Sequence, residues 1–256
     1  MFSMSLASGI ACSLAALAGG IIDAVSGGGG LLTMPALLLA GVPPHIALGT
    51  NKVSACCGTT IALLNFAKHG LVNWPMALYG VLFSITGSFF GAWLALKLDS
   101  ALLGKILVIL LPFAMIASLM PQKKRVDIHA QAVGWRFWVL LPLVCFTIGV
   151  YDGFFGPGTG IFIILGLHWL LKTGLMEASA TAKALNLGSN VSAAVSFILA
   201  GAVYWPLAIL MGGCFIVGNW FGSAIAIKIG AGLVKKFLLF SLVLLMASLL
   251  WRFFMP

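Results

Sequence analysis

Four ionisable side chains stand inside otherwise apolar stretches of this chain: Asp23, Lys52, Asp152 and Lys183. At the centre of a bilayer a charge costs at least ~2.5–3.5 kcal/mol on insertion scales, so such residues mark a pathway, a proton relay or a paired bridge. They come as one Asp and one Lys in each half of the sequence. On a functional reading, Lys52 and Lys183 draw an anion inward, while Asp23 and Asp152 carry protons or hold the lysines. The alternative is two structural Asp–Lys bridges, or lysines that snorkel to an interface. Lys52 lies only about two turns from the start of its segment, which favours that alternative.

Beside each Asp the chain is interrupted by glycine: SGGGG at Ser26 to Gly30, and GPGTG at Gly156 to Gly160. A glycine costs ~1 kcal/mol against Ala in a helix interior. Non-helical backbone at membrane depth is tolerated only where it is buried or lines a cavity. A half-helix that starts after such a break has unpartnered N–H groups and a positive dipole end. That end is a ready anion site. Gly27, Gly28, Gly29 and Gly30, with Gly156 and Gly158, let a ligand approach the backbone closely. Ser26 and Thr159 add hydroxyl donors. The competing role for these glycines is close helix packing. Asn51, Asn186 and Asn190 form a second polar layer near the lysines. Asn186 and Asn190 are four residues apart and share a helical face. Such amides either line a pore or tie helices together at ~0.6 kcal/mol each.

These residues need elements to position them, and composition says what kind. Of 256 residues, 62% are hydrophobic and 7% charged. The mean hydropathy is +1.16. A soluble domain carries ~25% charged residues. The chain reads as an all-α polytopic membrane protein. The net charge of +9 comes from basic residues scattered at segment ends, with no stripe, which speaks for membrane topology and against nucleic-acid binding. The first apolar run contains Asp23 and has no basic stretch before it, so it reads as a retained segment.

The sequence repeats itself. GIIDAVSGGGG from Gly20 matches GVYDGFFGPGT from Gly149. TNK at Thr50 to Lys52 matches TAK at Thr181 to Lys183, and GLVNWP at Gly70 to Pro75 matches GAVYWP at Gly201 to Pro206. Gly91 matches Gly222, and Lys97 matches Lys228. Two units, 1–121 and 135–256, flank a basic linker, 122–134. Apolar segments fall near 8–26, 30–42, 45–67, 74–97 and 101–120, then near 135–156, 158–171, 177–200, 205–228 and 232–254. The second segment of each unit is too short to cross ~30 Å of hydrocarbon.

Basic residues orient the array. With five segments per unit and the N-terminus outside, the inside holds Lys68, Lys123, Lys124, Arg125, Arg136, Lys172, Lys228, Lys235 and Lys236. The outside then holds Lys97, Lys105 and Arg252. Four segments per unit give six against six, which is no bias. The positive-inside rule therefore selects two inverted repeats, with both termini outside and the linker in the cytoplasm. The inversion survives if the first two segments of each unit only dip in and return. Inverted repeats with Gly-broken short helices at their interface point to a transporter site near the bilayer midplane.

Other chemistries are poorly supported. Cys12, Cys56, Cys57, Cys145 and Cys214 lie within apolar segments and suit buried thiols better than disulfides or zinc. His45 and His69 fall at segment ends, and His168 near the end of a short segment. No metal spacing and no Walker motif occurs, so neither a metal, a cofactor nor ATP hydrolysis is expected. AVSG at Ala24 to Gly27 is a faint echo of an intramembrane serine protease, without its first glycine. The chain is read as a non-enzyme. A passive anion channel and a non-transporting scaffold compete with a carrier. The small-residue run at Gly218 to Ala226 leaves a homo-oligomer open.

GGIIDAVSGGGGLLTMPALLLAGVPPHIALGTNK, with VNWP later and YDGFFGPGTG in the second half, resembles the sulfite exporter TauE/SafE family of membrane proteins. The resemblance covers essentially the whole chain. It implies a multi-spanning permease of the cytoplasmic membrane that moves small sulfur-containing anions such as sulfite or organosulfonates. The second break reads GPGTG where the first reads GGGG, so the two half-sites differ.

Overall fold

Helix ends follow the glycines and prolines. The computed structural model describes residues 5–119 and 134–229. In chain order the helices are α1 (Leu6–Ser26), α2 (Gly30–Leu39), α3 (Pro44–Lys68), α4 (Trp74–Lys97) and α5 (Ser100–Leu119). The second half has α6 (Leu141–Phe154), α7 (Thr159–Leu165), α8 (Leu175–Leu199) and α9 (Trp205–Ile229). Single π-helical turns, Arg136–Leu140 and Gly166–Leu170, extend α6 and α7. No strand occurs among the described residues. The expected tenth segment, 232–254, and nearly all of the linker lie outside them.

Trp-Pro opens α4 and α9 alike, with the proline in the first turn, where its missing N–H leaves no gap. Asn73 caps α4 by accepting from the Met76 amide at 3.1 Å. Helices α1, α4, α6 with its π turn, and α9 are long and apolar enough to cross a bilayer. Their outer faces carry large exposed hydrophobics such as Leu78, Phe89, Trp93, Ile209 and Trp220. Helices α3 and α8, 25 residues each, are more polar and sit inside, packed on each other and on α9 and α4. Their buried polar residues include Thr50, Asn51, Lys52, Thr181, Lys183, Asn186 and Asn190. Together they establish an all-α, multi-pass membrane protein.

Two interfaces use the same small-residue device. Gly87 and Gly91 on α4 lie against the backbone of Phe146, Val150 and Phe154 on α6. At the matching positions, Gly218 and Gly222 on α9 lie against the backbone of Leu17 and Ile21 on α1. A glycine every fourth residue lets helix axes approach until main chains touch.

Direction follows from the contacts. The Thr50 hydroxyl, early in α3, accepts from the Tyr204 amide beyond the end of α8, at 3.0 Å. The Thr181 hydroxyl, early in α8, accepts from the Asn73 amide beyond the end of α3, also at 3.0 Å. The matched helices α3 and α8 therefore run antiparallel. Short α2 folds back along α1, with the Cys12 thiol 3.6 Å from the Ala36 carbonyl. Likewise Gly166, after α7, lies against Val144 and Ile148 of α6. Ten residues of α2 reach only about 15 Å, too short to cross ~30 Å of hydrocarbon.

Of the cysteines, Cys12 and Cys145 are buried as expected, whereas Cys56 and Cys214 are half-buried and Cys57 is exposed. Apolar sequence alone does not separate an exposed helix face from the core.

Candidate anion site at the meeting of two broken helices

Helix α1 stops because Gly27 takes φ 77, a left-handed conformation that returns its N–H to the Asp23 carbonyl at 2.7 Å. In the second half Gly156 and Gly158 take φ 94 and 84 before α7 begins. The Tyr151 hydroxyl donates to the Pro157 carbonyl at 2.6 Å and pins that break. The two breaks touch. Gly27 lies against the backbone of Gly160, and a Cβ on Gly30 would stand 3.0 Å from Pro157 Cα.

Around this crossing the ionisable residues pair across the halves. The Lys52 ammonium is 2.7 Å from Asp152 Oδ1 and donates to Asn190 Oδ1 at 3.0 Å. The Lys183 ammonium lies 3.3 Å from Asp23 Oδ2 and also donates to the Asp23 main-chain carbonyl. Lys52 and Lys183 are each 1% exposed, so neither snorkels. The early turns of α3 are covered by Phe197 and Ala202 at the end of α8, which leaves no interface for Lys52 to reach. Asn190 lies seven residues beyond Lys183 on α8, so the two pairs stand about 10 Å apart along that helix. A Cβ at Gly156 would come 2.8 Å from the Lys52 ammonium, which explains a glycine there.

A polar cavity of ≈ 20 Å³ lies between these groups, room for about one water. It brings together Asp23, Gly27, Gly30, Asn51, Lys52, Asp152, Gly156, Thr159, Asn186 and Asn190 from the expected set. Lys183 adjoins it through Asp23. Gly28 and Gly158 shape the breaks, and Gly29 packs on Asp23 Cβ and the Gly19 carbonyl. The Ser26 hydroxyl, on the last residue of α1, donates back to the Ile22 carbonyl at 3.1 Å. The Thr159 hydroxyl donates to the Gly156 carbonyl at 2.7 Å.

Further wall residues are Ala55, Gly160 and Phe215, and Thr33 donates to Asn51 Oδ1 at 2.6 Å. Gly160 closes the GPGTG motif and was legible there; Phe215, an aromatic in an apolar run, left no signal. Two buried acceptors in the wall, Asp152 Oδ2 and Asn186 Oδ1, have no hydrogen-bond partner. The wall is unequal: Asn186 and Asn190 on α8 correspond to Ala55 and Thr59 on α3. Asn190 holds Lys52, whereas α3 has no amide at the two matching positions and reaches the wall through Asn51 instead.

A family model described as sulfite exporter TauE/SafE matches residues 12–249. A probable membrane transporter protein, ORF9, of Sinorhizobium sp is 41% identical over 231 residues, covering 88% of this chain and 85% of that one. A probable membrane transporter protein of Haemophilus influenzae is 36% identical, covering 84% of this chain and 83% of its own. The probable membrane transporter protein YfcA of Escherichia coli K12 is 35% identical, covering 92% and 87%. No solved structure matches the chain.

Proposed function

We propose that this chain, which belongs to the sulfite exporter TauE/SafE family of membrane transporters, is a secondary carrier of small anions, sulfite or organosulfonates among them. Membership makes it a multi-pass membrane transporter. The finer reading rests on one observation: the Lys52 ammonium is buried in a polar cavity where two broken helices meet, held by Asp152 and Asn190. A cation placed there at the expense of bilayer insertion is a counter-charge for a passing anion. The starts of α2 and α7 reach the same wall through Gly30 and Thr159.

The mechanism is alternating access. Units 1–121 and 135–256, related as inverted repeats, rock about the central site. The site is closed to anything much larger than water, so substrate entry requires the two breaks to separate. Asp–Lys pairs that each join one unit to the other stiffen the closed arrangement. The carrier sits in the cytoplasmic membrane with its termini outside, works on the proton gradient or membrane potential, and performs no covalent chemistry.

The test is a ligand-induced thermal shift on purified protein in detergent, with sulfite, sulfate, thiosulfate, sulfoacetate, taurine and matched carboxylates. A specific binder at 100 times its Kd stabilises by ~2.7 kcal/mol. The expected result is a shift with one class of sulfur anion, lost in Lys52→Ala. No shift with any anion overturns the reading. Counterflow in proteoliposomes then separates carrier from channel.

A further inference from the structure

The two Asp–Lys pairs match in sequence but differ in construction. Lys52 forms part of the cavity wall, and its ammonium uses two of three donors, on Asp152 Oδ1 and Asn190 Oδ1. Asp152 and Asn186 both line the same cavity, and each has a buried side-chain oxygen without a partner, Asp152 Oδ2 and Asn186 Oδ1. Lys183 is absent from the wall and rests on the main-chain carbonyl of Asp23, in the last turn of α1. A cation at a helix C-terminus is well placed electrostatically, whatever occupies the cavity.

We propose that these pairs divide the work: Lys52–Asp152 exchanges its carboxylate for substrate by taking one proton on Asp152 Oδ2, while Lys183–Asp23 is a fixed strut that holds the end of α1. This rests on the anion reading above. An anion that reaches Lys52 stands beside the Asp152 carboxylate, and two negative charges on one ammonium oppose each other. The balance is one O–H bond formed at Asp152 Oδ2, with the proton drawn from water on the side of entry. No oxidation or reduction is involved. Asn186 Oδ1, an acceptor without a donor, receives the new hydroxyl. A monovalent anion then crosses with one proton and no net charge.

The ionisable groups that face Asp152 are few. Helix α3 brings Lys52 and, one turn on, Cys56. Helix α8 brings Lys183, already on Asp23, and α1 brings Asp23 to the far wall. Tyr151, its neighbour on α6, donates to Pro157. Helices α4 and α7 put no ionisable side chain in the wall.

The experiment counts protons. Purified protein in weakly buffered detergent with a pH-indicator dye is titrated with sulfoacetate, whose own groups are ionised at neutral pH, and the bound anion is counted in parallel. The wild type is expected to take up about one proton per anion near neutral pH. Asp152→Asn binds without uptake, whereas Asp23→Asn, which alters the wall as well as the strut, melts earlier and binds more weakly but still takes up one proton for each anion it does bind. If Asp152→Asn does not fold, Asn186→Ala decides. It removes an acceptor that has no partner in the resting pair, and binding moves to lower pH because the acid proton has lost its acceptor. Binding without proton uptake in the wild type overturns this inference and leaves the anion site standing. Uptake lost equally in Asp23→Asn overturns the division of labour. No binding at all overturns the anion reading and this inference together.

Discussion

Lys52 in the first half and Asp152 in the second meet at 2.7 Å with 1% of each residue exposed. The reciprocal pair, Lys183 and Asp23, is longer by its side-chain contact, at 3.3 Å. Breaking a buried pair by removing one partner costs ~3–5 kcal/mol, because an uncompensated charge remains. Lys52→Met is therefore expected to destabilise by about that amount. The double variant Lys52→Met with Asp152→Leu removes both charges and should recover most of the loss, since a buried pair is often no better than apolar packing. Thermal melting in one detergent checks both. The double variant should still bind no anion. Equal melting of the single and double variants would mean that the pair is not coupled.

The two breaks make a second prediction. Gly27 combines φ 77 with main-chain contact to Gly160. Gly70 has a similar φ of 67 but nothing within 4 Å. An alanine at Gly70 meets only the left-handed backbone penalty, ~1–2 kcal/mol. Gly27→Ala meets that penalty and also drives a methyl into the opposing break. It should melt well below Gly70→Ala and lose transport, while Gly70→Ala keeps transport. Similar melting of the two would remove the contact between the breaks.

Helix α9 carries its own control. Gly213 has open space around its Cβ position, whereas Gly218 abuts the backbone of α1. Gly213→Ala should gain up to ~1 kcal/mol from helix propensity. Gly218→Ala should lose stability, because α1 has no room to give. Melting midpoints that move in opposite directions confirm which face of α9 is packed.

Much of this arrangement was legible in the residues. Trp-Pro pairs and glycine breaks placed the starts of α4 and α9 and the ends of α1 and α6 within a few positions, because each forces a local backbone state whatever surrounds it. Basic residues point to an inverted relation, and the antiparallel course of α3 and α8 is the sense that such a relation requires. Pairing was not readable. One Asp and one Lys per half does not say which Asp meets which Lys, and only the antiparallel packing of α3 on α8 turns each lysine toward the other half. Ser26 read as a ligand donor because its type fits. Its hydroxyl is taken by the Ile22 carbonyl one turn back, a local competition that spacing does not reveal. The alternative in which Lys52 snorkels to an interface fails for a similar reason: the covering residues, Phe197 and Ala202, are distant in sequence.

Orientation is the last prediction. The amide of Asn73, just past α3, donates to Thr181 in the first turns of α8. Lys68 at the end of α3 and Lys172 just before α8 must therefore share one face of the membrane. Helix α4 then crosses, which carries Lys97, 3.7 Å over the Trp93 ring, to the opposite face. The positive-inside rule puts Lys68 and Lys172 in the cytoplasm. In a background without the five native cysteines, Lys97→Cys should react with an impermeant maleimide on intact cells. Lys68→Cys and Lys172→Cys should react only after permeabilisation. The reverse pattern would invert the protein in the membrane and leave its packing intact. Labelling of Lys68→Cys and Lys172→Cys from opposite faces would contradict the antiparallel course of α3 and α8, on which the cross-half pairing of both lysines depends.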